Sequence, residues 1–199
     1  MLPPGDHLLW RSLGDIVYIL NVRDGRYAGL SGRDAERWVG GFGSARTTRP
    51  VPASPPPRLP RWWSATRYLL AWRINRHVRR LIAAQRFHEL YALAESVSLA
   101  CPGDRRGAVP LAPFLRTELL FKHKNPDRDC LVRSFSLYLY LRLLGFRVTH
   151  RIGFVAFPFD AHAWVELEGR AILERVSSME RWHVISTLGE EREAFPATA

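Results

Sequence analysis

An α+β fold, with a small β-hairpin-plus-helix module ahead of a larger mixed domain, is predicted by three features of the sequence. Residues 15–30 read as short strands, residues 64–100 and 130–144 as helices, and residues 146–174 as strands again. Helices and strands come in runs instead of alternating, which separates α+β from α/β. The 199 residues suit one ordinary domain with a small appendage. Apolar residues make up 47% of the chain, so a packed core is within reach and the chain does not read as disordered.

Taken in order, Asp15-Ile-Val-Tyr-Ile-Leu-Asn-Val22 is rich in β-branched and aromatic residues. Arg23-Asp24-Gly25 is a turn signal, and Arg26-Tyr-Ala-Gly-Leu30 returns as a second strand. Ser31 is placed to cap a short helix through Phe42. Residues 46–60 carry Pro50, Pro52, Pro55, Pro56, Pro57 and Pro60, the composition of a semi-rigid extended linker. The division is therefore a module over 1–45, a linker over 46–60 and a main domain over 61–199. A helical stretch follows over about 64–100, broken near its middle, and Pro102-Gly103-Asp104 ends it. A short helix over 111–122 precedes a longer one from about Cys130 to Leu144, capped by Asp127 or Asp129 and stopped by Gly145. Phe146–Ala156 reads as a strand, Ala161–Leu167 as the next, and Glu168-Gly169 turns the chain into Arg170–Glu174.

The formal charge is +10, and much of it lies in 58–86, where arginines interleave with Trp62, Trp63, Tyr68, Leu69, Trp72, Ile74, Val78 and Leu81. That spacing is read as an amphipathic helix with its apolar stripe on the core and its arginines in solvent, in preference to nucleic-acid or membrane binding, because no nucleic-acid motif accompanies it. No apolar run reaches the ~18–20 residues that cross a bilayer. The opening Met1-Leu-Pro-Pro-Gly-Asp6 lacks a basic region followed by an apolar stretch, so a cytoplasmic location is expected. Two cysteines are too few for a disulfide framework, and a reducing compartment keeps them as thiols. The seven histidines show no metal-ligand spacing with a cysteine, so no metal is expected. No Gly-rich phosphate loop is present, and no cofactor is expected.

The chemistry concentrates in 127–174. A thiol nucleophile needs a low pKa and a base; a helix N-terminus supplies part of the first, and an imidazole the rest and the second. Cys130 is placed where its helix begins, and its own backbone N–H is a candidate oxyanion donor. A lone cysteine is most often a small buried hydrophobe, and a lone histidine on a strand is most often structural. Together they form a helix-start cysteine followed by a strand-start histidine, His162. Glu166 shares a strand face with His162 but lies ~13 Å along it, so it is read as a surface or substrate-side group. Glu174 depends on the hairpin turn. A two-residue Glu168-Gly169 loop closing Leu167 on Arg170 sets Glu174 opposite Ala163 and away from the ring. A three-residue loop with Gly169 left-handed in a bulge sets Glu174 against His162, with Cβ atoms ~4.5–5.5 Å apart. On this reading a triad requires the bulge.

Asp129-Cys-Leu-Val-Arg-Ser-Phe-Ser-Leu-Tyr138, Leu143-Leu-Gly-Phe146, Ile152-Gly-Phe154, Ala161-His-Ala-Trp-Val-Glu166 and Gly169 resemble the lasso-peptide maturation proteases called B proteins, over about residues 58–180. Those are transglutaminase-like cysteine peptidases. The resemblance implies a papain-like or transglutaminase-like fold, with the Cys130, His162 and Glu174 triad. The family usually carries aspartate where Glu174 stands. It also implies a task, removal of the leader from a ribosomal precursor. The partners implied are that precursor and an ATP-using, asparagine-synthetase-like cyclase that closes the macrolactam. Residues 15–38 are similar to the opening of winged-helix leader-recognition domains, which bind a leader as an added strand; the similarity stops near Phe42, so the module is truncated. Tyr18, Tyr27 and Trp164 are the substrate-binding residues expected. Two rivals stand beside peptidase action: acyl transfer to an amine with the same triad, and a non-catalytic leader-binding scaffold.

Overall fold

The computed structural model describes residues 7–43, 45–46, 64–101, 103, 105, 108–121, 126–174 and 181–189. The Pro-rich linker expected over 46–60 lies outside them except for Arg46. The fold is α+β, built from helices and two antiparallel four-stranded sheets.

The first sheet comprises β1 (Leu8–Leu13), β2 (Ile16–Asn21), β3 (Arg26–Ser31) and β4 (Ala45–Arg46), in the order β3-β2-β1-β4. Sequence reasoning found β2 and β3 and missed β1, which pairs Leu13 with Ile16 across the two-residue loop Gly14-Asp15. Gly-Asp between apolar runs is a hairpin signal that was there to be read. α1 (Arg33–Phe42) is preceded by Gly32, not capped by Ser31 as expected; Ser31 is held in the ladder opposite Ile16. The period-two alternation of β2 divides its side chains between two cores. Val17 and Ile19 join Trp10 and Ala35 in a small cluster under α1. Tyr18 and Leu20 join Leu9 and Val22 in the main core. The sheet is thus welded to the rest of the molecule, and Arg11 Nη1 donates to the Val184 carbonyl at 2.8 Å.

Among the described residues four helices follow: α2 (Ser64–Ala83), α3 (Phe87–Ala100), α4 (Leu111–Glu118) and α5 (Pro126–Leu143). The break expected within 64–100 falls at Gln85, whose φ is 56°. In α2, Ala71, Asn75, Val78 and Leu81 are buried while Arg73, Arg76 and Arg80 are exposed, as the amphipathic reading required, but Leu69, counted in the apolar stripe, is 54% exposed, and Trp62 and Trp63 lie outside the described residues. In α5, every residue from Ser134 to Arg142 is buried, because the helix packs against α2 and α3 and covers the second sheet. That sheet comprises β5 (Val148–Val155), β6 (Asp160–Leu167), β7 (Arg170–Ala171) and β8 (His183–Leu188), ordered β7-β6-β5-β8. No described helix is long and apolar enough to cross a membrane.

Candidate active site

Cys130 lies on α5, and the helix starts earlier than its sequence suggested. With Pro126 as the first residue, Cys130 stands one turn in, not at the beginning. A helix from Pro126 pairs the Cys130 amide with the Pro126 carbonyl, so that amide is not a free oxyanion donor. Proline is well suited to the first helical position, where its missing N–H costs nothing. Cys130 is partly buried and, like Cys101, which closes the end of α3, takes part in no disulfide.

His162 comes from β6, paired with Gly153 of β5. Its ring is hydrogen-bonded to Cys130, and its Nε2 lies 3.3 Å from Glu174 Oε1. The hydrogen bonds to Cys130 and then Glu174 push His162 up to about 9, against the opposing effect of burial. With Nε2 at the carboxylate, Nδ1 is the nitrogen left to face the thiol. The structure therefore brings together all three residues singled out for the triad.

It does so by a route that differs from the expected one. Leu167 pairs with Arg170 and Glu166 with Ala171, so Glu168-Gly169 is a two-residue turn and not a bulge. Both turn residues have positive φ, 51° and 74°, and glycine at the second position makes this primed turn accessible. In that register Glu174 opposes Ala163. The ladder persists as far as Ile172, whose amide donates to the Val165 carbonyl at 2.8 Å. Leu173 then adopts a φ of 64°, the alternation breaks, and Glu174 swings to His162. A left-handed leucine costs roughly 1–2 kcal/mol, and such strain gathers at functional sites. Nothing in a Leu-Glu pair signals this kink.

Aromatic rings flank the imidazole. Trp164 is stacked with it at 6.1 Å and 13°, and Trp182, just ahead of β8, lies at 5.4 Å. Gly153 makes room for both: a Cβ there would stand 2.9 Å from Trp164 and 3.1 Å from Trp182. Trp182 was not found from sequence, where a lone tryptophan in a loop carries no pattern. Trp164 is only 3% exposed, so it braces His162 and presents almost no surface to a peptide. Its indole N–H donates to Glu166 Oε1, and Arg151 Nε donates to Glu166 Oε2, both at 2.8 Å. Glu166 is thus a largely buried clamp on Trp164, where a surface or substrate-side group was expected.

Tyr18 and Tyr27 arrive from the N-terminal sheet. Tyr18 is buried, 4.2 Å from Phe154 between ring centroids, and has little surface to offer a substrate. Tyr27, on the edge strand β3, is partly buried against the core cluster that Cys130 also joins. Burial pushes its phenol above the ordinary range, and nearby Tyr91 and Cys130 add to the effect. Among the described residues no group of three or more His, Cys, Asp or Glu is arranged to hold a metal ion.

Residues 33–187 match the family model described as the transglutaminase-like superfamily. The match runs from the start of α1 into β8. No curated protein and no solved structure matches the chain.

Proposed function

The chain belongs to the transglutaminase-like superfamily, and from that premise we propose that it is a cysteine peptidase that removes the leader from a ribosomally made lasso-peptide precursor. The superfamily includes both cysteine peptidases and acyl transferases. The observation that carries the catalytic part of this reading is the hydrogen-bonded series Cys130–His162–Glu174. An imidazole hydrogen-bonded to a cysteine and oriented by a carboxylate can take the thiol proton and so form the thiolate–imidazolium pair that attacks. The precursor and the later cyclase enter through the sequence resemblance at Cys130 and at His162-Ala-Trp-Val-Glu166.

In the proposed reaction the Cys130 sulfur attacks the carbonyl at the leader–core junction. The carbon–nitrogen bond breaks, and the His162 imidazolium gives its proton to the departing core amine. The leader acyl group stays on sulfur as a thioester. His162, now neutral, takes a proton from water, whose oxygen attacks the thioester and releases the leader acid and the thiol. Glu174 keeps the ring oriented and stabilises its charge. The freed core amine is the nucleophile that an ATP-using, asparagine-synthetase-like cyclase joins to an acidic side chain. β3 is the terminal strand of its sheet, and an edge of this kind accepts an extended leader as a further strand.

The test is incubation with a precursor peptide encoded beside this gene, read by mass. Leader and core as two products, with one water added between them, are expected from the wild type, and a loss of at least about 10³-fold in rate from Cys130→Ala. A cross-linked product with loss of ammonia indicates acyl transfer instead. Processing that is unchanged in Cys130→Ala leaves only a leader-binding scaffold.

A further inference from the structure

Two phenylalanines on the loop that precedes the His162 strand have no part in the reaction just described. Phe157 and Phe159 lie on the loop between β5 and β6, the loop that leads into His162, and they are 93% and 52% exposed. Large apolar side chains left in solvent and grouped together mark places where something binds.

Phe159 is also held in place. Its ring is parallel to Tyr18 at 6.3 Å and 7°, and edge-on to Tyr27 at 5.8 Å and 63°. Tyr18 is itself seated on Phe154, whose side chain is fully buried. Tyr27 packs against the same core cluster as Cys130, and His162 follows Phe159 by three residues. Two aromatic rings back the half-exposed Phe159 ring, and one of them, Tyr27, is near enough to Cys130 for the two to interact electrostatically, so Phe159 stands one aromatic contact away from the thiol. The nearest carboxylate in sequence, Asp160, is turned onto the Ala161 amide at 2.9 Å.

We propose that Phe159, backed by Tyr18 and Tyr27, is the wall of an apolar subsite beside Cys130 that takes a large apolar side chain flanking the bond cleaved. The proposal rests on the reading of Cys130 as the nucleophile and adds the class of side chain selected. The ring contacts of the wall are aromatic throughout, so an apolar occupant is stabilised by burial and by ring packing, whereas a charged one loses its hydration without gaining a partner. Two of the three rings come from β2 and β3. The N-terminal sheet therefore shapes specificity at the catalytic centre itself, separately from any strand added at the β3 edge.

Three alkylating probes test this on the full chain: iodoacetamide, N-benzyl iodoacetamide and N-(4-carboxybenzyl) iodoacetamide. Labelling of Cys130 and Cys101 is followed by peptide mass. The benzyl probe is expected to label Cys130 about tenfold faster than iodoacetamide, the factor that burial of an aromatic ring supplies. The carboxylate probe should lose that gain. Phe159→Ala should bring the benzyl rate down to the iodoacetamide rate while leaving the iodoacetamide rate itself within about twofold, a control for the fold and the Cys130–His162 pair. Phe159→Leu should keep part of the preference. Equal benzyl and iodoacetamide rates in the wild type, with Cys130 still labelled ahead of Cys101, overturn the subsite and leave the nucleophile standing. A benzyl preference undiminished in Phe159→Ala also overturns it. Iodoacetamide labelling that does not favour Cys130 over Cys101 overturns the nucleophile reading, and the subsite with it.

Discussion

His150 and His162 stand on neighbouring strands of one sheet, and their surroundings drive them to opposite charge states. His150, on β5, is fully buried. It lies 4.1 Å from the Phe135 ring and 5.9 Å from Tyr138, and its single hydrogen-bond partner among the described residues is the Ser134 hydroxyl at 3.0 Å. Burial pushes it down to about 3, so it is neutral at pH 7. His162, on β6, keeps 23% of its side chain exposed and meets a thiol and a carboxylate. It is pushed up to about 9 and is cationic at pH 7. The two stand on paired strands of one ladder, three pairs apart, and the polarity of the partners decides the charge. A histidine in this family of sheets is therefore informative only together with what the tertiary fold sets against its two nitrogens.

The sharpest way to break the contrast is Glu174→Gln. It removes the anion and weakens the second largest cause of the raised His162 value. Turnover should fall by about 10²-fold, less than the ~10⁴ seen when a serine enzyme loses its orienting acid, because a thiol needs less help to ionise. Glu174→Asp should recover part of it. The sign of the pH effect is fixed by the direction of the shift. A value raised above the ordinary 6.5 means that the cationic pair, and the stability it contributes, is fully present below 6.5 and is lost as pH rises through about 9. The alkaline limb of kcat/KM should thus lie near 9 in the wild type and move to lower pH in Glu174→Gln. An alkaline limb that stays in place removes Glu174 from the site.

Much of this arrangement was legible in the sequence, for local reasons. Turn chemistry and apolar periodicity report on backbone near the residue that carries them. The strands β2, β5 and β6 and the amphipathic α2 follow from such signals, whereas the pairing of Cys130 with His162 was legible only through its likeness to the residue order of thiol enzymes. The start of α5 was misplaced by four residues because two aspartates and Pro126 all make acceptable helix beginnings. A bulge at Gly169 was taken as the condition for a triad because a regular hairpin pointed Glu174 the wrong way. The resolution lay at Leu173, whose left-handed backbone has no composition signal. Trp182 and the clamp on Trp164 are contacts between distant segments, which one sequence does not encode in any spacing.

Glu166 sharpens the comparison from one step farther out. It is a positioning residue in this account: it holds Trp164 by the indole N–H and also binds Arg151, and Trp164 stacks on His162. Glu166→Ala should cost about 1–3 kcal/mol of stability, since it leaves the buried indole N–H without its acceptor. Its kcat should fall severalfold with KM unchanged. Glu166→Gln keeps an oxygen for the indole and should lose less. The distinguishing readout is the His162 titration by NMR. A broadened or displaced His162 signal in Glu166→Ala ties the clamp to the ring; a wild-type titration with lowered stability makes the clamp purely structural.

The smallest effect on activity should come from the other histidine. His150 is neutral and buried in the folded protein, whereas in the unfolded chain it titrates near 6.5. Below that pH the unfolded state binds a proton that the folded state refuses. Stability is therefore lost progressively as pH falls from about 6.5 toward about 3. One unit of separation corresponds to ~1.36 kcal/mol, so the loss by about pH 5 from this residue is about 2 kcal/mol. His150→Leu replaces the imidazole with an apolar side chain of similar bulk against Phe135. It should flatten that part of the pH dependence and leave turnover at pH 7 close to wild type. The Ser134 hydroxyl keeps a partner in the Leu131 carbonyl at 3.3 Å, which limits the cost of the exchange. Denaturant melts at two pH values and an activity assay at pH 7 check both halves. If the variant loses stability on acidification as steeply as the wild type, burial is not what holds His150 neutral. If it loses turnover, the inner face of the sheet and the mouth of the site are coupled, and the division between the two histidines fails.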